Sequence, residues 1–201
     1  SVSTEPHGIA AVALQGELQI RNNSLEPVWG NGIGVYLFPD TDMRDVTVNG
    51  NTVVKDSYTS GLERGITMTY TNNSVTTNGD LQSSISENTV VADTTGISLT
   101  HQGTMTGIAE PAVGMTCNVV TAGAEGIQVN VSGAQSVNVY SASNQIIGTS
   151  GTYGLHAETR DNAILQFVSR GDTAEQFTAG LLIDAIHASD IQAYIDEINL
   201  D

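Results

Sequence analysis

Apolar and polar residues alternate in short runs along most of the chain, the period expected of half-buried β-strands. Between Ile9 and Ile20, Val12, Leu14, Leu18 and Ile20 recur every second residue, with one gap at Gly16. Ile33 to Phe38 forms the next run, ended by Pro39. Ile66-Thr67-Met68-Thr69-Tyr70 alternates strictly, and Thr89–Val91, Ile97–Thr100, Met115–Val120, Ile127–Val131 and Ile164–Val168 read as further strands. Asn49-Gly50 stands between Val46-Thr47-Val48 and Thr52-Val53-Val54. Asn-Gly tolerates the positive φ that a type I′ turn requires, so this stretch predicts a β-hairpin. A second hairpin is predicted from Val137–Tyr140 to Ile146-Ile147, turning at Ser143-Asn144.

The last thirty residues carry a different pattern. Asp172 with Glu175, and Ser189 with Gln192, have the spacing of helix capping boxes. Behind them, Phe177, Leu181 and Ala185, then Ile191, Tyr194, Ile195 and Ile198, recur at helical intervals. These positions predict two short C-terminal helices.

Turn signals come roughly every ten residues, the spacing of a sandwich or barrel. No repeat of about 20–50 residues stands out, which argues against a solenoid or propeller. The expected architecture is therefore mainly β: an antiparallel barrel or sandwich of jelly-roll type over residues 1–171, followed by a helical hairpin over residues 172–201.

Composition narrows the function. Among 201 residues, 22 are acidic and 6 are Lys or Arg, for a net charge of −16, and Lys55 is the single lysine. Charged residues are only 14 % of the chain, and Thr, Ser, Asn and Gly fill the gap. Such a surface repels phosphate backbones and anionic membranes, which excludes nucleic-acid binding through a basic face. No apolar run reaches the roughly 18–20 residues that span a bilayer, so no membrane insertion is expected. The lone Cys117 excludes an intrachain disulfide, leaving a buried apolar role or a bond between chains.

Candidate chemistry is sparse. His7, His101, His156 and His187 show no metal-ligand spacing. Asp40, Asp42 and Asp45 cluster after a strand and form a candidate Ca²⁺ or Na⁺ site, although Arg44 and Asp45 break the EF-hand pattern. Asn22 and Asn72 open sequons in predicted turns and are candidate glycosylation sites; Asn130 opens a third inside a predicted strand. Arg170-Gly171-Asp172 spells an adhesion tripeptide, with Asp172 expected to cap a helix. Glu17, Glu63, Glu87 and Glu110 are the acids from which a glycosidase pair would be drawn. Trp29 reads as a core or interface anchor. No catalytic residue and no other cofactor is expected.

In size, acidity, scarcity of lysine and strand density, the whole chain resembles the small single-jelly-roll capsid proteins of icosahedral viruses infecting halophilic archaea. That resemblance implies an upright barrel, symmetric capsomers and no catalysis. The expected function is a virion coat subunit that assembles laterally with copies of itself and with other coat proteins. A tail-tube or decoration protein is one alternative. The other is a secreted or cell-surface β-sandwich, working as an adhesin or a carbohydrate-binding module.

Overall fold

The computed structural model describes residues 7–12, 16–28, 30–37, 43–55, 62–76, 82–106 and 112–200. Among them there is no helix. The chain winds through successive rungs of three strands each. The first rung is β1 (His7–Val12), β2 (Gly16–Arg21) and β3 (Ser24–Val28); the second is β4 (Gly30–Leu37), β5 (Met43–Asn49) and β6 (Thr52–Lys55). The third is β7 (Leu62–Thr76), β8 (Gln82–Ser86) and β9 (Thr89–Val91); the fourth is β10 (Thr95–Thr106), β11 (Ala112–Thr116) and β12 (Val119–Ala122). The fifth is β13 (Glu125–Ser132), β14 (Ser136–Ala142) and β15 (Gln145–Gly148); the sixth is β16 (Tyr153–Arg160), β17 (Ile164–Arg170) and β18 (Thr173–Glu175). The last is β19 (Ala179–Ala185), β20 (Asp190–Asp196) and β21 (Asn199–Leu200).

Equivalent strands stack into three parallel sheets of seven strands: sheet 1 from β1 to β19, sheet 2 from β2 to β20 and sheet 3 from β3 to β21. The molecule is a parallel β-solenoid of about six turns. The antiparallel jelly-roll barrel or sandwich is thereby overturned. The strand alternation is real, but each strand pairs with its counterpart one rung away rather than with its neighbour in sequence. The premise of an upright coat barrel goes with it.

Both expected hairpins are corners between sheets. β5 pairs with β2 and β8, while β6 pairs with β3 and β9. A type I′ turn needs two residues at positive φ; here Gly50 has φ 64 and Asn49 is not left-handed. Ser143, φ 55, turns the chain between β14 and β15 in the same way. One left-handed residue stands at this corner in every rung: Asn22, Gly50, Glu87, Cys117, Ser143, Gly171 and Glu197. Cys117 is therefore exposed, not a buried core residue.

The C-terminal helices are also overturned. β19 pairs with β16 and β20 with β17, so residues 173–200 extend the same three sheets. The edges of β16, β17 and β18 present rows of N–H and C=O groups, and a strand satisfies them where a helix leaves them bare. Leu181 and Ile183 then sit beside Leu155 and Ala157 at strand period two. Asp172 caps no helix; it is fully buried at the corner before β18.

The core is built of in-register columns. Ile33, Ile66, Ile97, Ile127 and Leu155 stack inside sheet 1, and Val53, Val90, Val120, Ile146 and Ala174 inside sheet 3. Burying each such aliphatic side chain stabilises the fold by about 1.5–3 kcal/mol. Sheet 1 passes close to sheet 3 at a column of six glycines: Gly32, Gly65, Gly96, Gly126, Gly154 and Gly180. A Cβ on any of them would lie 2.1–2.6 Å from the side chain of the sheet 3 residue packed against it.

At the corner between sheets 2 and 3 runs a polar column of Asn23, Asn51, Asn88, Asn118 and Asn144, closed by Asp172. Each Oδ1 from Asn51 onward accepts both the backbone N–H and the side-chain amide of the preceding member, at 2.8–3.0 Å. From Asn51 to Asn144, each Nδ2 also donates to a backbone carbonyl of the previous rung. These two columns reveal the repeat that sequence inspection missed. The spacing between polar members is 28, 37, 30, 26 and 28 residues, so no fixed period appears.

Candidate functional site

Polar side chains on the outer face of sheet 1 stand in register, with Ser98 and His156 buried among them. Across strands the rows run Ser98–Gln128–His156, Thr100–Asn130–Glu158 and Gln102–Ser132–Arg160. The inward row between the first two is Leu99–Val129–Ala157 and that between the last two is His101–Val131–Thr159, all buried, so period-two alternation turns the row residues to the outer face. A groove of about 370 Å³ lies over this lattice. Its floor is Thr100, Gln102, Gln128, Asn130 and Ser132, and Arg64, Glu158 and Arg160 stand around it.

Most floor groups are amides and hydroxyls, each able to donate and to accept. Ser98 donates to Gln128 Oε1 at 3.3 Å, which orients that amide and leaves its NH₂ outward. Arg160 is engaged by Glu158 through its Nε, and this partner raises its pKa. Arg64, in contrast, is exposed and makes no ion pair or hydrogen bond among the described residues. His156, 9 % exposed, is fixed from two sides. Its Nδ1 lies 2.8 Å from Glu125 Oε1 and its Nε2 lies 3.9 Å from Glu158 Oε2.

The residues singled out by sequence are scattered. Asp40 and Asp42 lie outside the described residues, as do Glu110 and Trp29. Asp45 is exposed on β5, in register with Glu17 on one side and Gln82 on the other. No cluster of three or more His, Cys, Asp or Glu suited to a metal ion occurs among the described residues. Glu17, Glu63 and Glu87 sit on sheet 2, sheet 1 and a corner, respectively. Asn22 is exposed at its corner. The backbone of Asn72 belongs to β7 and pairs with Gly103, so the expected turn is not there. Asn130 lines the groove. The tripeptide ending at Asp172 offers no free carboxylate, because that side chain accepts hydrogen bonds from Asn144 and Ser169.

Sequence reasoning missed the lattice. Gln128, Asn130 and Ser132 alternate visibly in one strand, but nothing in the linear order places Thr100 or Glu158 beside them. Comparison with protein-family models, with curated proteins and with solved structures finds no match to this chain.

Proposed function

We propose that this protein binds glycans along the outer face of sheet 1. The observation that carries this reading is the groove floor: five neutral side chains with amide or hydroxyl groups, held by a rigid parallel sheet. Sugar hydroxyls both donate and accept hydrogen bonds, and this floor offers both in a fixed array. Side chains repeat every ~4.8 Å across strands and every ~6.6 Å along them, a grid on the scale of sugar rings. Because the backbone is already ordered, little conformational entropy is lost on binding. The net charge of −16 disfavours nucleic acid on the same face. Arg64, free of partners among the described residues, is placed to pair with a carboxylate on an acidic sugar.

The test is calorimetric titration with a panel of neutral and uronate-containing oligosaccharides. The Gln128→Ala/Asn130→Ala double variant should lose at least tenfold in affinity for any sugar bound, about 1.4 kcal/mol. Arg64→Gln should weaken uronate-containing sugars selectively. Undiminished binding by the double variant, or no binding across the panel, would sink the proposal.

A further inference from the structure

Sheet 2 carries a second cleft that the reading of sheet 1 does not use. It runs along β11, has a volume of about 310 Å³, and is floored by Ala112 and Gly114. Tyr140 and Val168 rise on one side, and Gln82, Asn138 and Gln166 line its edges.

Gly114 is the informative residue. The six glycines between sheets 1 and 3 are required by packing, since a Cβ there meets its neighbour at 2.1–2.6 Å. At Gly114 the nearest atom to a Cβ would be Ser83 O, at 3.9 Å, and its φ is not positive. Neither space nor backbone conformation requires glycine. In a strand interior it costs about 0.5–1 kcal/mol relative to alanine. What the missing side chain provides is an open floor directly beside Tyr140, its Cα partner on β14.

Tyr140 is 44 % exposed and makes no hydrogen bond or ring contact among the described residues. Two strands further in the same row stands Tyr194, 62 % exposed. The two tyrosine positions thus repeat at ~9.6 Å across the sheet. In the row alongside, Asn138, Gln166 and Gln192 are Cα partners on successive strands. Aromatic faces in one row and amides in the next match a ring with an apolar face and a polar rim.

We infer that the β11 cleft is a stacking subsite for a neutral pyranose. The Tyr140 ring covers the C–H face of the sugar, and Gln82, Asn138 and Gln166 bond its hydroxyls. The subsite stands independently of the groove on sheet 1.

The experiment follows the Tyr140 ring by NMR, using protein labelled at the tyrosine ring carbons, during titration with cellohexaose and separately with maltohexaose. The Tyr140 resonance is expected to shift with at least one of them. Gly114→Val, whose Cβ meets nothing nearer than Ser83 O at 3.9 Å, and Tyr140→Ala are each expected to weaken that binding about tenfold, the factor lost with an aromatic stack of about 1.4 kcal/mol. Gln128→Ala on sheet 1 should leave the Tyr140 shift unchanged. A Tyr140 signal that stays still with both sugars overturns the inference. So does a Gly114→Val protein that melts normally and binds like the parent, or a shift that vanishes in Gln128→Ala.

Discussion

Asn88 donates both its backbone N–H and its side-chain amide to Oδ1 of Asn118, at 3.0 Å each, across thirty residues of chain. Asn118 repeats the arrangement toward Asn144 and also donates to the carbonyl of Ile85. A single side chain thus holds three rungs, inside a buried corner where water cannot substitute. Asn118→Ala should destabilise the protein by roughly 3–5 kcal/mol, since it strands several buried donors and acceptors at about 1–3 kcal/mol each. Chemical denaturation of the variant against the parent checks this, and a loss below about 1 kcal/mol would refute the role.

The column ends in an acid for a physical reason. Ile198 precedes Asn199, the Cα partner of Thr173, so it stands where the next column member would be and offers no acceptor. An Asn at position 172 would leave one amide proton without the next column member to receive it. Asp172 only accepts: from Asn144 N–H and Nδ2 at 2.8 Å each, and from the Ser169 hydroxyl at 2.5 Å. Asp172→Asn should cost about 1 kcal/mol and Asp172→Ala about 3 kcal/mol. Thermal melts that reversed this order would contradict the account.

Two glycines of one rung should behave in opposite ways. A Cβ at Gly96 lies 2.1 Å from Val120 Cγ1 and 2.7 Å from the Gly126 carbonyl oxygen, whereas one at Gly114 meets only Ser83 O, at an unstrained 3.9 Å. Gly96→Ala should destabilise by about 1–3 kcal/mol. Gly114→Ala should be neutral or stabilising by up to ~1 kcal/mol. Paired melting curves decide it.

His101 is the acid-sensitive point of the core. It is fully buried, stacked on Tyr70 with ring centroids 4.1 Å apart, and neither ring nitrogen has a hydrogen-bond partner among the described residues. Burial pushes its pKa down from 6.5 to about 3. Between those values the unfolded chain binds a proton that the folded chain refuses, so stability is complete above pH 6.5 and falls as the pH drops. The slope is up to ~1.4 kcal/mol per pH unit from this group. His101→Phe should flatten the fall of Tm from pH 7 to pH 4; a parallel loss in both proteins would remove His101 as its cause.

The surface charge makes its own prediction. Glu17 and Asp45 are Cα partners on adjacent strands of a chain with net charge −16. Parallel, in-register stacking sets like charges side by side at ~4.8 Å. Raising salt from about 0.1 to 1 M shortens the screening length from ~10 to ~3 Å, so Tm should rise with NaCl. A flat or falling Tm would show that repulsion is not a significant cost.

The strand character of the chain before residue 172, the alternation of Ile66, Met68 and Tyr70, and the acidic polar composition follow from the sequence alone, because period two and charge are local properties. Local patterning is silent on pairing partners. Alternating strands joined by tight corners look the same whether the chain folds back on itself or winds onward, and Asn49-Gly50 serves either turn. At the C-terminus, Leu181 and Ala185 fit a helical interval, while Leu181 and Ile183 fit a strand; the open edge of β16 decides between them. Unequal rung lengths hide the columns of Asn and Gly, which become legible only when the rungs are stacked. The groove on sheet 1 shares that origin. Gln128 and Asn130 are two residues apart in one strand, but Thr100 and Glu158 reach Asn130 only through parallel register across three rungs. Hydrogen bonding between strands about thirty residues apart is a property of the folded chain, and it alone sets those neighbours.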